Sequence, residues 1–332
     1  MRRNHSYLWV LCLPLVNICR ILGVEPAPVD PASSHPIPPF TVPAAKPGVD
    51  YERFMILGDF GTTVPDPKTA DEKEFAADQK LVASAMASRA KTDGLDFMIT
   101  VGDNFYEDGV KSVDDPMFKS AFVDIYAGPL QVPVYPALGD HDHRGNVQAQ
   151  IDYSQKNKNW KLPAAYYTFT RTLGDGTKVQ FFAVDTIPIR EKKPDVSVQI
   201  AWLDQELGKS DARWKFVFGH DPLYSHTEKD RAGQRTIIRG AIEALLIKYR
   251  VDAHFAGHDH ILEMLKPVSG VNYVISGGGA GAKKAAGVEW TDESYYAATV
   301  GGFVQVRISN NEAVFEFVRP DGKTQYAHVL AK

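Results

Sequence analysis

The strongest constraint on the fold is a repeated pattern, in which an apolar run ends at a glycine that is followed directly by aspartate or histidine. Buried strands are typically such apolar runs, and glycine permits the sharp turn after them. Ligands of α/β folds bind where the carboxyl ends of parallel strands meet. The pattern therefore predicts one crevice lined by carboxylates and imidazoles. The polar positions after the five runs are Asp59, Asp103, Asp140, His220 and His258.

From residue 51 onward the chain alternates between predicted strands and helices. Helical spacing occurs in "DEKEFAADQKLVASAMASRAK", "DDPMFKSAFVDIYAG" and "RTIIRGAIEALLIKY". "VQFFAV" is a further predicted strand, and "VNYVIS", "FVQVRIS", "AVFEFV" and "TQYAHVL" predict a β-meander at the end of the chain. This order of βαβ units and a meander predicts an α/β fold with more than one sheet.

The composition is that of a globular protein, with 44% apolar and 23% charged residues among 332. The net charge is −4 and no long basic run occurs, which argues against nucleic acid as the main partner. A phosphate-bearing substrate would therefore need a local positive centre to attract it.

The amino terminus predicts export. Residues 1–24 begin with a basic stretch and continue with an interrupted apolar one, which is typical of a signal peptide, although an uncleaved signal anchor is an alternative. Both cysteines lie inside this segment, so the mature chain would have no disulfide. A proline-rich linker is predicted for residues 25–50 and the catalytic domain for residues 51–332. We expect a secreted or periplasmic protein without stable membrane insertion after cleavage.

Longer motifs connect these strand ends to a known family. They are "GDNFYEDGV", "GDHDHRGNVQAQIDYSQKNKNWKLPAAYYTF", "GHDPLYS", "GHDHILE" and "VNYVISGGGAG". Over residues 51–282 the chain resembles the metallophosphoesterase superfamily, and within it the purple acid phosphatases of the short, tartrate-resistant type. The resemblance implies a four-layer α/β sandwich, in which helices flank two mixed β-sheets.

The resemblance also implies a binuclear metal centre. One site would hold Fe(III), and the other a divalent Fe, Zn or Mn, roughly 3.5–4 Å away. Asp103 would bridge the two ions. The implied Fe(III) ligands are Asp59, Asp103, Tyr106 and His260, and the divalent site would add Asp140, His220 and His258.

Tyr106 distinguishes this chain from the general metallophosphoesterases of the superfamily. They carry histidine two residues after the first aspartate, where this chain has Gly61. A tyrosinate three residues after Asp103 can replace that ligand, and its hard anionic oxygen favours Fe(III) over Zn(II) or Mg(II). The alternative is that Tyr106 is an ordinary core aromatic residue.

The family mechanism implies two catalytic histidines. His141 resembles the one that holds phosphate and protonates the leaving group, and His226 is the nearest counterpart of the second, at a shorter spacing. Metal-activated hydroxide would hydrolyse small phosphate monoesters. The alternatives are a phosphodiesterase or pyrophosphatase of the superfamily, or a catalytically weakened metal- or phosphate-binding homologue. Asp140 keeps the last one open, because the family has asparagine there.

Three further features have expected roles. His143 is expected to orient its loop or to lie in solvent, and Asn104 to support its loop by hydrogen bonding. "SGGGAGAKK" could approach phosphate through its backbone amides, or it could be a plain flexible loop.

Overall fold

The computed structural model describes residues 37, 39–227, 231–280, 288 and 291–332. The predicted signal segment, half of the proline-rich segment and the end of the glycine-rich loop lie outside the described residues. Strands and helices are numbered along the chain.

Sheet 1 contains three parallel strands from the first part of the domain and three antiparallel strands from the end of the chain. Its order is β13–β12–β11–β1–β2–β3, with β1 parallel to β2 and antiparallel to β11. Within the described residues its strands are β1 (Glu52–Leu57), β2 (Phe97–Val101), β3 (Val134–Ala137), β11 (Phe303–Ile308), β12 (Glu312–Val318) and β13 (Thr324–Ala331).

Sheet 2 has a parallel centre, in which β5, β6, β7 and β9 run in one direction, and antiparallel edges. Its order is β10–β8–β9–β7–β6–β5–β4. Its strands, again within the described residues, are β4 (Tyr167–Thr172), β5 (Lys178–Ala183), β6 (Trp214–Phe218), β7 (Ala253–Ala256), β8 (Leu262–Leu265), β9 (Asn272–Ser276) and β10 (Ser294–Ala298).

The meander predicted at the end of the chain is only partly correct. β11, β12 and β13 form it, as consecutive antiparallel strands of sheet 1. "VNYVIS" is β9 instead, which pairs in parallel with β7 in the other sheet. Its central residues Tyr273, Val274 and Ile275 are all buried because both faces of the strand are covered, and such an apolar run does not reveal the direction of pairing.

The helices cover the outer faces of the two sheets. α1 starts with a capping box, in which Thr69 and Glu72 each accept a backbone N–H from the other. α2 lies in a segment predicted to be helical, and its helix is a π-helix. The described helices are α1 (Ala70–Asp93), α2 (Phe118–Ala127), α3 (Gly128–Leu130), α4 (Asp140–Arg144), α5 (Val147–Tyr153), α6 (Thr186–Arg190), α7 (Val196–Lys209) and α8 (Ala232–Lys248).

Aromatic side chains fill the space between the two sheets. Phe181 of β5 packs against Phe54 and Phe97 of sheet 1 at ring-centroid distances of 5.3 and 5.4 Å. A second apolar cluster, which includes Leu203 of α7 and Ile242 of α8, covers the other face of sheet 2. The predicted four-layer sandwich of two mixed sheets and flanking helices is confirmed, and it fixes the strand ends that carry the site.

The described part of the proline-rich segment contacts sheet 1. Arg307 donates a hydrogen bond to the Pro43 carbonyl oxygen at 2.7 Å, and Lys46 forms an ion pair with Glu312 at 2.9 Å. The predicted domain boundaries stay predictions. Among the described residues, no helix has the length and apolar character needed to cross a bilayer.

Candidate metal centre

The strand ends converge as the sequence pattern predicts. Asp59 follows β1, Asp103 follows β2, and Asp140 opens α4 just after β3, so sheet 1 supplies three carboxylates. Sheet 2 supplies imidazoles from the loops after β6 and β7. These are His220, His258 and His260.

Four of these side chains project from a strained backbone. Asp59, Asp103, His258 and His260 have φ angles of 58°, 51°, 70° and 52°, in the left-handed region that residues other than glycine rarely adopt. Each such residue costs on the order of 1–3 kcal/mol, and strain of this kind is concentrated at functional sites. The fold therefore holds these four ligand candidates in position against a local conformational preference.

One group of donors surrounds the Tyr106 hydroxyl. This oxygen lies 2.9 Å from Asp103 Oδ2, 3.3 Å from Asp59 Oδ1 and 3.3 Å from His260 Nε2. His260 Nε2 is also 3.4 Å from Asp59 Oδ1. The four residues predicted to bind Fe(III) are thus brought together, with their donor atoms facing one point.

The second group lies directly beside the first. His258 Nδ1 is 3.2 Å from Asp140 Oδ1 and 3.0 Å from His220 Nε2. His220 Nε2 is 3.3 Å from Asp140 Oδ1 and 3.5 Å from Asp103 Oδ2. Asp103 therefore lies between the two groups, where a bridging ligand would lie. The other nitrogen of His220 donates to the Val101 carbonyl oxygen, which fixes the ring for ligation through Nε2.

The buried charges of these groups match a cation site. Asp59 is fully buried and Asp103 is 2% exposed. Burial raises the pKa of Asp59 well above its usual range, and the Asp103 carboxylate raises it further. Burial and the same carboxylates also raise the pKa of the Tyr106 hydroxyl. Multivalent cations would reverse these effects and stabilise the anionic ligands, so the donor set fits two metal ions.

Glycine is required at position 61 because of a close contact with a neighbouring loop, and not because of an unusual backbone conformation. A Cβ at this position would lie 1.7 Å from the Asn104 carbonyl oxygen. The Gly61 carbonyl oxygen accepts a hydrogen bond of 2.9 Å from the Tyr106 backbone N–H. The two loops are therefore packed backbone to backbone, which leaves no room for a histidine at position 61. Tyr106 supplies a donor to the same site from the neighbouring loop.

A buried carboxylate organises the "GDHDH" loop. Asp142 is fully buried and accepts hydrogen bonds from the Gly139 and Asn104 backbone N–H groups, the Asn104 side chain and Gln150. Asn104 also donates to the Ala137 carbonyl oxygen at 2.8 Å. These bonds tie the loop after β2 to the loop after β3, and so they hold Asp103 next to the start of α4.

His141 lies at the edge of both donor groups. Its ring centroid is 4.1 Å from that of Tyr106, and its Nε2 is 3.9 Å from Asp103 Oδ2. Its Nδ1 lies 2.5 Å from the Glu107 carbonyl oxygen, so Nδ1 carries the donated proton and Nε2 faces the site. The side chain is 14% exposed, which leaves it accessible to a substrate.

The predicted catalytic residue His226 has other neighbours. Its Nδ1 lies 2.7 Å from Glu263 and 2.9 Å from the Ser294 hydroxyl, and its Nε2 lies 3.0 Å from Glu293. Burial lowers the pKa of His226, but the Glu263 and Glu293 carboxylates hold it above the usual range. These contacts connect the loop after β6 to β8, to the first residue of β10 and to the residue before it. The prediction of a catalytic role for His226 stays a prediction.

Charged residues that sequence reasoning missed surround Asp140. Arg144 Nη2 is 3.0 Å from Asp140 Oδ2, and Arg190 Nη1 is 3.9 Å from Asp140 Oδ1. Arg190 also forms a 2.7 Å ion pair with the buried Asp221. His143 binds the Asp185 carboxylate at 2.9 Å, which orients the loop without a ligand role for that ring. The i,i+4 spacing of Asp140 and Arg144 was the available sequence signal.

Comparisons with known proteins agree with this geometry. The family described as calcineurin-like phosphoesterase matches residues 52–262. Tartrate-resistant acid phosphatase type 5 of Mus musculus is 31% identical over 304 residues, which cover 84% of this chain and 90% of that protein. Purple acid phosphatase 7 of Arabidopsis thaliana is also 31% identical over 304 residues, covering 84% and 86%. The chain belongs to the purple acid phosphatase family.

Solved structures support the same family fold. A purple acid phosphatase from yellow lupin (Lupinus luteus) seeds superposes with a TM-score of 0.64 at 18% identity, covering 85% of this chain and 54% of that one. GAP50, described as the anchor in the inner membrane complex of Plasmodium, superposes with a TM-score of 0.73 at 25% identity, covering 85% and 89%. The purple acid phosphatase fold therefore also occurs in a protein described by an anchoring role.

The contact at Gly61 leads to a stability prediction. Gly61→Ala should destabilise the protein by about 1–3 kcal/mol, because the new methyl group must displace the Asn104 backbone. Gly240→Ala is the matched control, since a Cβ at that position in α8 meets nothing within 4 Å and should stabilise the helix by about 0.5–1 kcal/mol. Urea unfolding of both variants measures the difference. Equal stability of Gly61→Ala and the wild type would contradict the proposed packing of the two loops.

Proposed function

We propose that this protein is an exported binuclear-metal acid phosphatase that hydrolyses phosphate monoesters. The observation that carries the proposal is the pair of adjacent donor groups that share Asp103. Two neighbouring ions can hold the phosphate and balance charge at the attacking and leaving oxygens, which is the established use of such pairs in phosphate hydrolysis. The family membership of the chain supports the same reaction class.

The donor chemistry favours a trivalent and a divalent ion. Asp59, Asp103, Tyr106 and His260 would hold Fe(III), because phenolate and carboxylate oxygens are hard anionic donors. Asp140, His220 and His258, with Asp103, would hold a divalent Fe, Zn or Mn. When bound, the ions supply Lewis acidity and make hydroxide available at low pH.

The side chains of the chain itself complete the mechanism. The Glu107 carbonyl oxygen fixes the His141 ring so that Nε2 points toward the site. In its imidazolium form, with both ring nitrogens protonated, His141 would then donate a hydrogen bond from Nε2 to the bound phosphate ester and give that proton to the departing alkoxide. Asp142 and Asn104 keep His141 and Asp103 at a fixed separation. If His226 has a catalytic role as well, it must leave Glu263 or act through it.

Two other functions remain as alternatives. A phosphodiesterase or pyrophosphatase would use the same metal ligands, and a panel of monoester, diester and anhydride substrates separates them. A metal- or phosphate-binding protein with little activity is supported by the similarity to the Plasmodium anchor protein and by the Asp140 ion pairs near the site. Steady hydrolysis of phenyl phosphate by the metal-loaded protein would exclude this last alternative.

Export and domain organisation belong to the same proposal. Residues 1–24 would direct secretion or periplasmic export, residues 25–50 would connect the signal segment to the domain, and residues 51–332 would form the catalytic unit. Small phosphate esters are the proposed partners, and nucleic acid is not among them because the net charge of −4 opposes it.

Tyr106 gives the sharpest test of the metal assignment. The iron-loaded protein should absorb visible light through a tyrosinate–Fe(III) transition, and Tyr106→Phe should abolish this band. Tyr273→Phe is the control, because Tyr273 is buried and its hydroxyl has no hydrogen-bond partner among the described residues. Visible absorption and metal analysis check both variants. A colourless wild type that is fully active with zinc or manganese alone would contradict the Fe(III) assignment.

His141→Ala tests the proton donor. The loss should be larger for alkyl phosphates, whose alkoxide leaving groups need a proton, than for activated aryl phosphates, with a difference on the order of 10²–10⁴-fold in kcat. His328→Ala, on β13 of the remote sheet edge, should change neither rate. Equal losses on both substrates, with metals retained, would show that His141 only binds the phosphate.

Asp140→Asn tests the extra carboxylate. Removal of one negative charge should lower KM for phenyl phosphate, because the dianion is repelled less. The acid limb of the pH–rate profile should move to lower pH, since deprotonated forms in the site become more favourable. Asp114→Asn, at a side chain that is 78% exposed, is the control. An unchanged KM and profile would mean that Asp140 does not face the substrate site.

A further inference from the structure

Arg144 lies at the mouth of the candidate metal centre. It is the last residue of α4 and its side chain is 48% exposed. Its Nη2 lies 3.0 Å from Asp140 Oδ2, while the other oxygen of that carboxylate faces His220 and His258. One carboxylate group therefore separates the guanidinium from the donor atoms that would hold the divalent ion.

The other arginines near the site are committed to buried carboxylates. Arg190 binds Asp221 at 2.7 Å, and Arg231 binds Asp259 at 2.8 Å. Asp221 is 1% exposed and Asp259 is fully buried, so these two pairs are internal to the loops. They support the loops, and their guanidinium groups are already engaged by these buried carboxylates.

Arg144 differs because its carboxylate partner has a second role. Among the described residues, Asp140 is its one ion-pair partner, and Asp140 is also a proposed metal ligand. The four anionic ligands would neutralise all but one of the five positive charges of a trivalent and a divalent ion. With the ions bound, Arg144 adds uncompensated positive charge at the entrance.

Arg144 makes few other contacts that compete for an anion. Arg144 Nη1 points toward the Glu107 carbonyl oxygen at 3.3 Å and lies 3.2 Å from His141 Nδ1. The Glu107 carboxylate opposes an anion, but it is 59% exposed, so water and salt screen it. The exposed part of the Arg144 side chain is therefore accessible to a substrate whose phosphate would lie at the metals and at His141.

We propose that Arg144 binds a second phosphate group of the substrate, so that the preferred substrates are phosphate esters that carry two phosphates. This inference rests on the proposed phosphatase function and names its substrate class. A guanidinium presents parallel N–H donors that match two oxygens of a phosphate, and charge-assisted bonds of this kind are among the stronger ones in proteins. A substrate with one phosphate would leave the N–H groups of Arg144 that do not bind Asp140 or the Glu107 carbonyl oxygen to water.

The test compares two substrates that differ in this group alone. They are propane-1,3-diol monophosphate and the corresponding bisphosphate. Arg144→Gln should lower the ratio of kcat/KM for the bisphosphate to that for the monophosphate by about 10- to 100-fold, the range expected for losing hydrogen bonds to a charged group. Arg144→Lys retains the positive charge but lacks the paired N–H donors of a guanidinium. Its ratio of kcat/KM values should therefore lie between those of the wild type and of Arg144→Gln.

Arg250→Gln is the matched control. Arg250 is exposed and precedes β7, so it lies at the opposite end of the strand from His258. The same arginine-to-glutamine change there alters the net charge equally and should leave the ratio unchanged. An effect of the overall charge would appear in both variants.

Binding of inert ligands provides a readout that does not depend on turnover. Titration calorimetry of the metal-loaded protein should show that Arg144→Gln weakens propane-1,3-bisphosphonate by about 10- to 100-fold and propylphosphonate much less. Equal losses for both phosphonates and both esters would overturn the proposal and assign Arg144 to the positioning of Asp140 and His141. If no ester is hydrolysed by any variant, the proposed phosphatase function fails, and the two phosphonates still decide whether Arg144 binds the second phosphate.

Discussion

The structure depends on compensating the carboxylates that are buried where the two sheets meet. Asp59 and Asp103 lie within reach of one another, of Tyr106 and of three imidazoles, and no arginine or lysine is paired with either of them among the described residues. An uncompensated buried carboxylate costs several kcal/mol, so this arrangement is stable only if the groups are neutralised. Bound cations would accomplish this and would also stabilise the fold, because the binding energy of a metal adds to the folding energy.

The need to bring these side chains together also explains the strained backbone of the loops that carry them. A ligand side chain at a strand end must turn back over the sheet edge, and the left-handed conformation of Asp59, Asp103, His258 and His260 achieves this turn within one residue. The strain is sustained by rigid neighbours. Asp142 joins the loops after β2 and β3 through four N–H donors, and Gly61 lets the loop after β1 contact the Asn104 backbone. The two sheets supply the fixed frame for these loops.

The sequence was sufficient for the features that depend on local pattern. The apolar runs and their terminal Gly-Asp or Gly-His pairs identified the strand ends that converge, and the resemblance identified the fold. The π-helix at α2 and the parallel pairing of β9 were not predictable in this way. Apolar spacing does not distinguish bonding to i+4 from bonding to i+5, and an apolar run does not give the direction of its neighbour.

At the site, too, contacts between residues close in sequence could be predicted, and contacts between distant segments could not. Asp140 and Arg144 are i,i+4 neighbours, so their ion pair could have been inferred had "GDHDHR" been recognised as the start of a helix. Arg190 reaches the same carboxylate from α6, and only the packing of α6 against the loops after β6 and β7 brings it there. Asp140 thus connects the candidate metal ligands on one side to two cations on the other. A neutral amide at this position could accept hydrogen bonds from those arginines, but it would have no charge to attract them. The Asp140 carboxylate and the two arginines therefore act together, and they set both the charge of the candidate metal centre and the charge at its entrance.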